Sequence, residues 1–99
     1  MKNYPTREAA RSAILIAGLQ VAQTKGYQQV TLRDVADRCG RTPGWVCNRI
    51  QADELTDALM VAACETRNYR VIAQGLATGH AAATALPDDV KRAAAESVI

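Results

Sequence analysis

The side chains best suited to binding chemistry lie within one short basic stretch. Arg41-Thr42-Pro43-Gly44-Trp45 is followed by Asn48-Arg49, and Thr31 and Arg33 lie just upstream. Asn48 can pair bidentately with adenine, and Arg49 can reach a phosphate or a guanine. Gly44 permits close approach of the backbone. Trp45 either touches a thymine methyl or sugar or belongs to the core. Thr31 and Arg33 open a helix, where orphan N–H groups favour a phosphate. Any one of these also has a plain reading as a solvated surface side chain. Together they describe recognition of a duplex, with no bond made or broken.

Other chemistries lack their parts. The three cysteines, Cys39, Cys47 and Cys64, include no CxxC pair, and His80 is the single histidine. A tetrahedral zinc site needs closer ligand spacing, so no metal and no other cofactor is expected. Small buried thiols in a reducing compartment fit the cysteines better. With no Ser-His-Asp set and no phosphate loop, the chain does not read as an enzyme. Lys2, Arg7, Glu8 and Arg11 occupy the region where a secretory leader needs an apolar run. No apolar run approaches membrane-spanning length, so a cytoplasmic protein is expected, with no membrane contact and no small-molecule effector.

The elements that must position these residues are helical. Alanine is abundant, phenylalanine is absent and apolar residues recur at helical spacing. Residues 1–4 read as a mobile arm. Pro5 and Thr6 open a first helix that carries Ala10, Ile14, Ala17, Val21 and Ala22 inward and stops at Gly26. Thr31-Leu32-Arg33-Asp34 forms a capping box for a short second helix, ended by Gly40. Thr42 caps a third helix with Pro43 in its first turn and Val46, Cys47 and Ile50 along it. A long helix then runs from Ala52 or Asp53 to about Gln74, with Leu55, Leu59, Ala62, Ala63, Tyr69 and Ile72 on its apolar side. Gly75 and Gly79 loosen the chain around Leu76, a turn or two of helix follows at residues 81–86, and Pro87-Asp88-Asp89 starts a last helix.

Within this frame Ala36, Gly40 and Val46 have the spacing of a helix-turn-helix between Thr31 and Ile50. The crossing needs a small residue on its first helix and a turn able to take positive φ. Charge follows the same division. Residues 1–50 hold eight Lys/Arg against three Asp/Glu, while residues 51–99 hold four against seven. A basic half suits a phosphate backbone. Ninety-nine residues bury only a modest core, and dimerisation through an alanine-rich half would enlarge it.

The same stretch resembles the DNA-binding region of the TetR family. The resemblance rests on Ile14-Leu15, Ala17-Gly18-Leu19, Val21 and Gly26-Tyr27. It continues with Thr31-Leu32-Arg33-Asp34-Val35-Ala36, Gly40-Arg41-Thr42-Pro43-Gly44-Trp45-Val46 and Asp53-Glu54-Leu55. It covers about residues 10–60. Departures are Cys47 where the family has a phosphate-contacting Tyr, Asp53 in place of a Lys, Ile50 in place of an aromatic, and Arg41 in place of an aliphatic residue. Arg33, Arg38, Arg41 and Arg49 can compensate for the two weakened phosphate contacts. Too little chain follows residue 60 for the family's ligand-binding domain. The resemblance therefore implies DNA binding without drug sensing, and small plasmid- or phage-encoded repressors of the KorC kind are similar in scale.

The sequence thus predicts an all-α fold of four to six helices. A three-helix DNA-binding head (residues 1–52) with a helix-turn-helix precedes a helical dimerisation region (residues 53–99), in one compact domain. The expected function is a transcriptional repressor binding a palindromic operator as a homodimer. Thr31, Arg33, Arg41, Thr42, Pro43, Gly44, Trp45, Asn48 and Arg49 are the expected DNA contacts. The alternative is a helical protein-interaction module, an antirepressor or adaptor that does not use DNA.

Overall fold

Local capping sets the first half of the molecule. In a computed structural model that describes Tyr4 and residues 6–97, the chain forms seven α-helices and one 3-10 turn, with no strand among the described residues. Helix α1 spans Arg7–Lys25. The Thr6 hydroxyl accepts from the Ala9 N–H at 3.0 Å, and Gly26 closes the helix at φ 92°. Ala10, Ile14, Ala17 and Ala22 are buried as their spacing requires, while Val21 is half-buried.

Helix α2 spans Leu32–Cys39 and begins with the capping box. Asp34 N–H donates to Thr31 Oγ1 at 3.1 Å, and Thr31 N–H donates to Asp34 Oδ2 at 3.0 Å. Two of the orphan donors at the helix start are thereby satisfied. Gly40 turns the chain at φ 69°, in the left-handed region that costs glycine little. Helix α3, Pro43–Cys47, starts at Thr42, whose hydroxyl accepts from Trp45 N–H at 3.2 Å. It is shorter than its apolar pattern suggests. Ile50 lies in the turn beyond it and is buried all the same.

The second half departs from expectation. The single helix predicted as far as Gln74 is two: α4, Ala52–Thr66, and α5, Tyr69–Thr78. Arg67 adopts φ 55° between them, and the Asn68 side chain caps α5 by accepting from Val71 N–H at 3.3 Å. The break lets α5 fold back on α1. There the Gln74 amide accepts from Tyr27 N–H at 2.8 Å and donates to the Ala22 carbonyl at 2.9 Å. Tyr69, predicted on an apolar face, is exposed as a result. Helices α6, Ala81–Thr84, and α7, Asp88–Glu96, complete the fold, giving seven helices where at most six were expected.

Small residues set the close approaches. A Cβ on Gly18 would lie 2.6 Å from Leu59 Cδ2, so α1 and α4 cross at that glycine. Gly75 does not loosen the chain. It lies inside α5, where a Cβ would meet Met60 Sδ at 2.5 Å and the Ala83 Cβ at 2.9 Å. Gly79 is the left-handed cap that ends α5. One continuous core joins Ile14, Val35, Val46 and Ile50 to Leu55, Leu59, Val71 and Ile72. Of the cysteines, only Cys64 fits the expectation of a buried thiol. Cys39 is half-buried and Cys47 exposed. Burial pushes the Cys64 and Cys39 thiols up from their ordinary range. Among the described residues, no helix is long and apolar enough to cross a membrane.

Candidate nucleic-acid interface

Helix α3 buries only Val46. Thr42, Pro43, Gly44, Cys47 and Asn48 are exposed. A five-residue helix has little stability of its own, so its ends must be held by tertiary contacts. The start is held by Thr42. The far end is held by guanidinium groups. Arg7 Nη2 donates to the Asn48 carbonyl at 3.2 Å, Arg11 Nη1 to the Arg49 carbonyl at 3.4 Å and Arg49 Nη1 to the Trp45 carbonyl at 2.9 Å. Cations there satisfy orphan carbonyls and complement the helix dipole. Arg11 also pairs with Glu54 at 3.6 Å, which ties the start of α4 to the same junction.

Trp45 is half-buried. The Arg49 and Arg41 guanidinium carbons stand 4.1 and 4.6 Å from its ring centroid. The Tyr4 ring lies 6.0 Å away, and Arg41 also stands 5.8 Å from the Tyr4 centroid. Neither sequence alternative for Trp45 describes this position fully. The indole packs at the edge of the core and serves as the platform on which two arginines rest, a cation–π arrangement.

Beside this platform is a hollow of about 600 Å³ between the start of α1 and α3. Tyr4, Arg7, Arg41, Trp45, Asn48 and Arg49 are among the residues that line it. No carboxylate does so among the described residues.

Comparisons with family models, with curated proteins and with solved structures find no match. Geometry alone then carries the chemistry. The residues singled out from sequence fall into three places. Arg41, Trp45, Asn48 and Arg49 surround the hollow. Thr42, Pro43 and Gly44 form the exposed leading turn of α3. Thr31 and Arg33 lie at the start of α2 and do not line the hollow.

At the start of α2, Thr31 Oγ1 accepts from Asp34 N–H, and the Thr31 side chain also bonds the Asp34 carboxylate. Lys25 Nζ stands 2.7 Å from Asp34 Oδ2. That bond, and next the Thr31 backbone N–H, hold the Asp34 carboxyl below its ordinary range. Lys25 thus offsets a carboxylate that would otherwise oppose an anion there.

Tyr4, Arg7 and Arg11 were absent from the sequence reading of the site. Residues 1–3 of the arm expected to be mobile lie outside the described residues, but Tyr4 is half-buried against Trp45. The available signal was Arg7 itself. A cation in the first turn of a helix opposes the dipole by roughly 0.3–1 kcal/mol, so it needs a reason to be there. Among the described residues no group of three His, Cys, Asp or Glu side chains could hold a metal ion. The arrangement offers guanidinium, amide and hydroxyl donors on an open face, which suits it to binding polyanions.

Proposed function

We propose that the protein is a sequence-specific DNA-binding repressor in which α2 and α3 act as a helix-turn-helix and α3 enters the major groove. The observation that carries this reading is the character of α3. It fully buries one side chain, Val46, leaves its leading turn open, and is flanked by Arg41 and Arg49, with no carboxylate among the described residues that line the hollow beside it. Gly44 adds support. Among the described residues, no atom of another part of the chain lies within 4 Å of where its Cβ would stand, so packing among them does not require glycine there. A close outside surface would require it. The TetR-like pattern of residues 10–60 supports the same assignment.

In this reading Thr42, Pro43, Gly44, Trp45 and Asn48 face base edges, while Thr31, Arg33 and Arg49 hold phosphates and Arg41 serves either role. The protein acts as a homodimer on a palindromic site. Val61 and Tyr69, two of the three large apolar side chains exposed among the described residues, belong to residues 53–99 and support a partner surface there. Selection from a random duplex pool tests the proposal. Enrichment of a palindromic consensus is the expected result. A pool that binds in low salt without any consensus, or does not bind, contradicts it, and failure to bind favours the interaction-module reading.

A further inference from the structure

Three guanidinium groups, from Arg7, Arg41 and Arg49, line one hollow without a carboxylate among its described lining residues. Like charges gathered in this way repel, and Arg41 and Arg49 both stand against the Trp45 ring. The arginines are also held in place. Arg7 is tethered to the Asn48 carbonyl and Arg49 to the Trp45 carbonyl. A guanidinium has five N–H donors, so these tethers fix direction while leaving donors for a ligand. Tyr4 and Trp45 add two ring surfaces at 6.0 Å from one another. The hollow, about 600 Å³, is large enough for more than a bare ion.

We infer that this hollow is a subsite for a phosphate ester, taking the phosphate against Arg7, Arg41 and Arg49 and the attached sugar or base against Trp45 and Tyr4. The inference rests on the proposed DNA reading for its natural source, the backbone of the duplex in which α3 lies. It adds the start of α1 as a third contributor beside α2 and α3. A free nucleotide carries the same chemistry and is the other source to be distinguished.

Trp45 is the single tryptophan of the chain, so its emission reports on the hollow directly. The full chain would be titrated with an arbitrary-sequence duplex and, separately, with the dinucleotide pTpT, at several matched ionic strengths. Trp45 emission and, for the duplex, anisotropy of a DNA label would be followed together. Arg7→Gln removes the charge while keeping a polar, uncharged side chain. Arg92→Gln, on the exposed surface of α7, controls for the same loss of net charge. Circular dichroism verifies that each variant is folded.

The expected result is a saturable emission change with duplex that tracks anisotropy. Arg7→Gln should weaken binding several-fold and lower the salt slope by about one unit, and Arg92→Gln should do neither. Duplex binding with unchanged emission overturns the subsite and removes Trp45 from the DNA interface, whereas equal effects of Arg7→Gln and Arg92→Gln overturn the subsite and leave DNA binding by α3 standing. An Arg7-dependent response to pTpT without duplex binding keeps the subsite, assigns it to free nucleotides and removes the DNA reading. No emission response to either ligand overturns the subsite.

Discussion

Gly44 offers the sharpest separation of stability from function at a single residue. With open space around its missing Cβ and no positive φ, alanine fits there without strain. Gly44→Ala should leave stability unchanged or raise it by up to about 1 kcal/mol, because alanine favours helix. It should also weaken DNA binding by about 1–3 kcal/mol if the backbone approaches bases as closely as proposed. Thermal melts and DNA titrations of the same preparation verify both signs, and an unchanged affinity removes Gly44 from the interface. Asp34 gives a second residue-scale prediction. Its folded carboxyl is held below the ordinary 3.8, chiefly by the bond from Lys25. The unfolded chain therefore takes up this proton more readily, and the stabilisation is present above about pH 4 and lost as pH falls through and below that value. Asp34→Asn should lower Tm at pH 7, and the deficit should shrink towards pH 2.5. A deficit independent of pH would mean that the charge of Asp34 contributes nothing.

Among the helices, the sequence was legible at the local caps that bound α1, α2 and α3, and not at the equally local Asn68 cap of α5. Thr6 with Gly26, Thr31 with Asp34, and Thr42 with Pro43 each place a boundary through contacts spanning a few residues or a local glycine. The break between α4 and α5 was not legible, since it contains neither glycine nor proline. Arg67 takes a left-handed conformation that costs a non-glycine residue about 1–2 kcal/mol. The docking of α5 on α1 through Gln74, across 47 and 52 residues of sequence, offsets that cost. The place of Tyr4 and Arg7 was hidden for the same reason, since Arg7 reaches a carbonyl 41 residues away. Gly75 tests the packing of α5. Alanine there favours helix as at Gly44, but its Cβ would press on the buried Met60 and on the Ala83 Cβ. The Met60 tip can move, whereas Ala83 cannot without shifting α6. Gly75→Ala should therefore destabilise by about 1–3 kcal/mol, opposite in sign to Gly44→Ala. A denaturant midpoint that rises would show that α5 and α6 separate freely.

Over the whole molecule, charge and apolar surface divide the tasks. The net positive charge of residues 1–50 accompanies α3 and the arginine-lined hollow, and residues 51–99 carry an acidic balance that, under the proposed function, disfavours phosphate contact there. The exposed Val61 and Tyr69 belong to that acidic half. Sedimentation equilibrium at micromolar concentration should report a dimer, and a monomer both free and on DNA would contradict the palindromic reading. The central claim is that α3 reads bases while α2 holds the backbone. Its most direct test is a titration of wild type, Asn48→Ala and Arg33→Ala against the selected site and a scrambled duplex at several salt concentrations. Asn48→Ala should lose about 1–3 kcal/mol on the selected site alone and relax specificity at one position. Arg33→Ala should weaken both duplexes alike and lower the salt slope by about one unit. If Asn48→Ala weakens both duplexes equally, Asn48 does not read a base, and if neither substitution alters binding to the selected site, α2 and α3 are not the DNA-binding element.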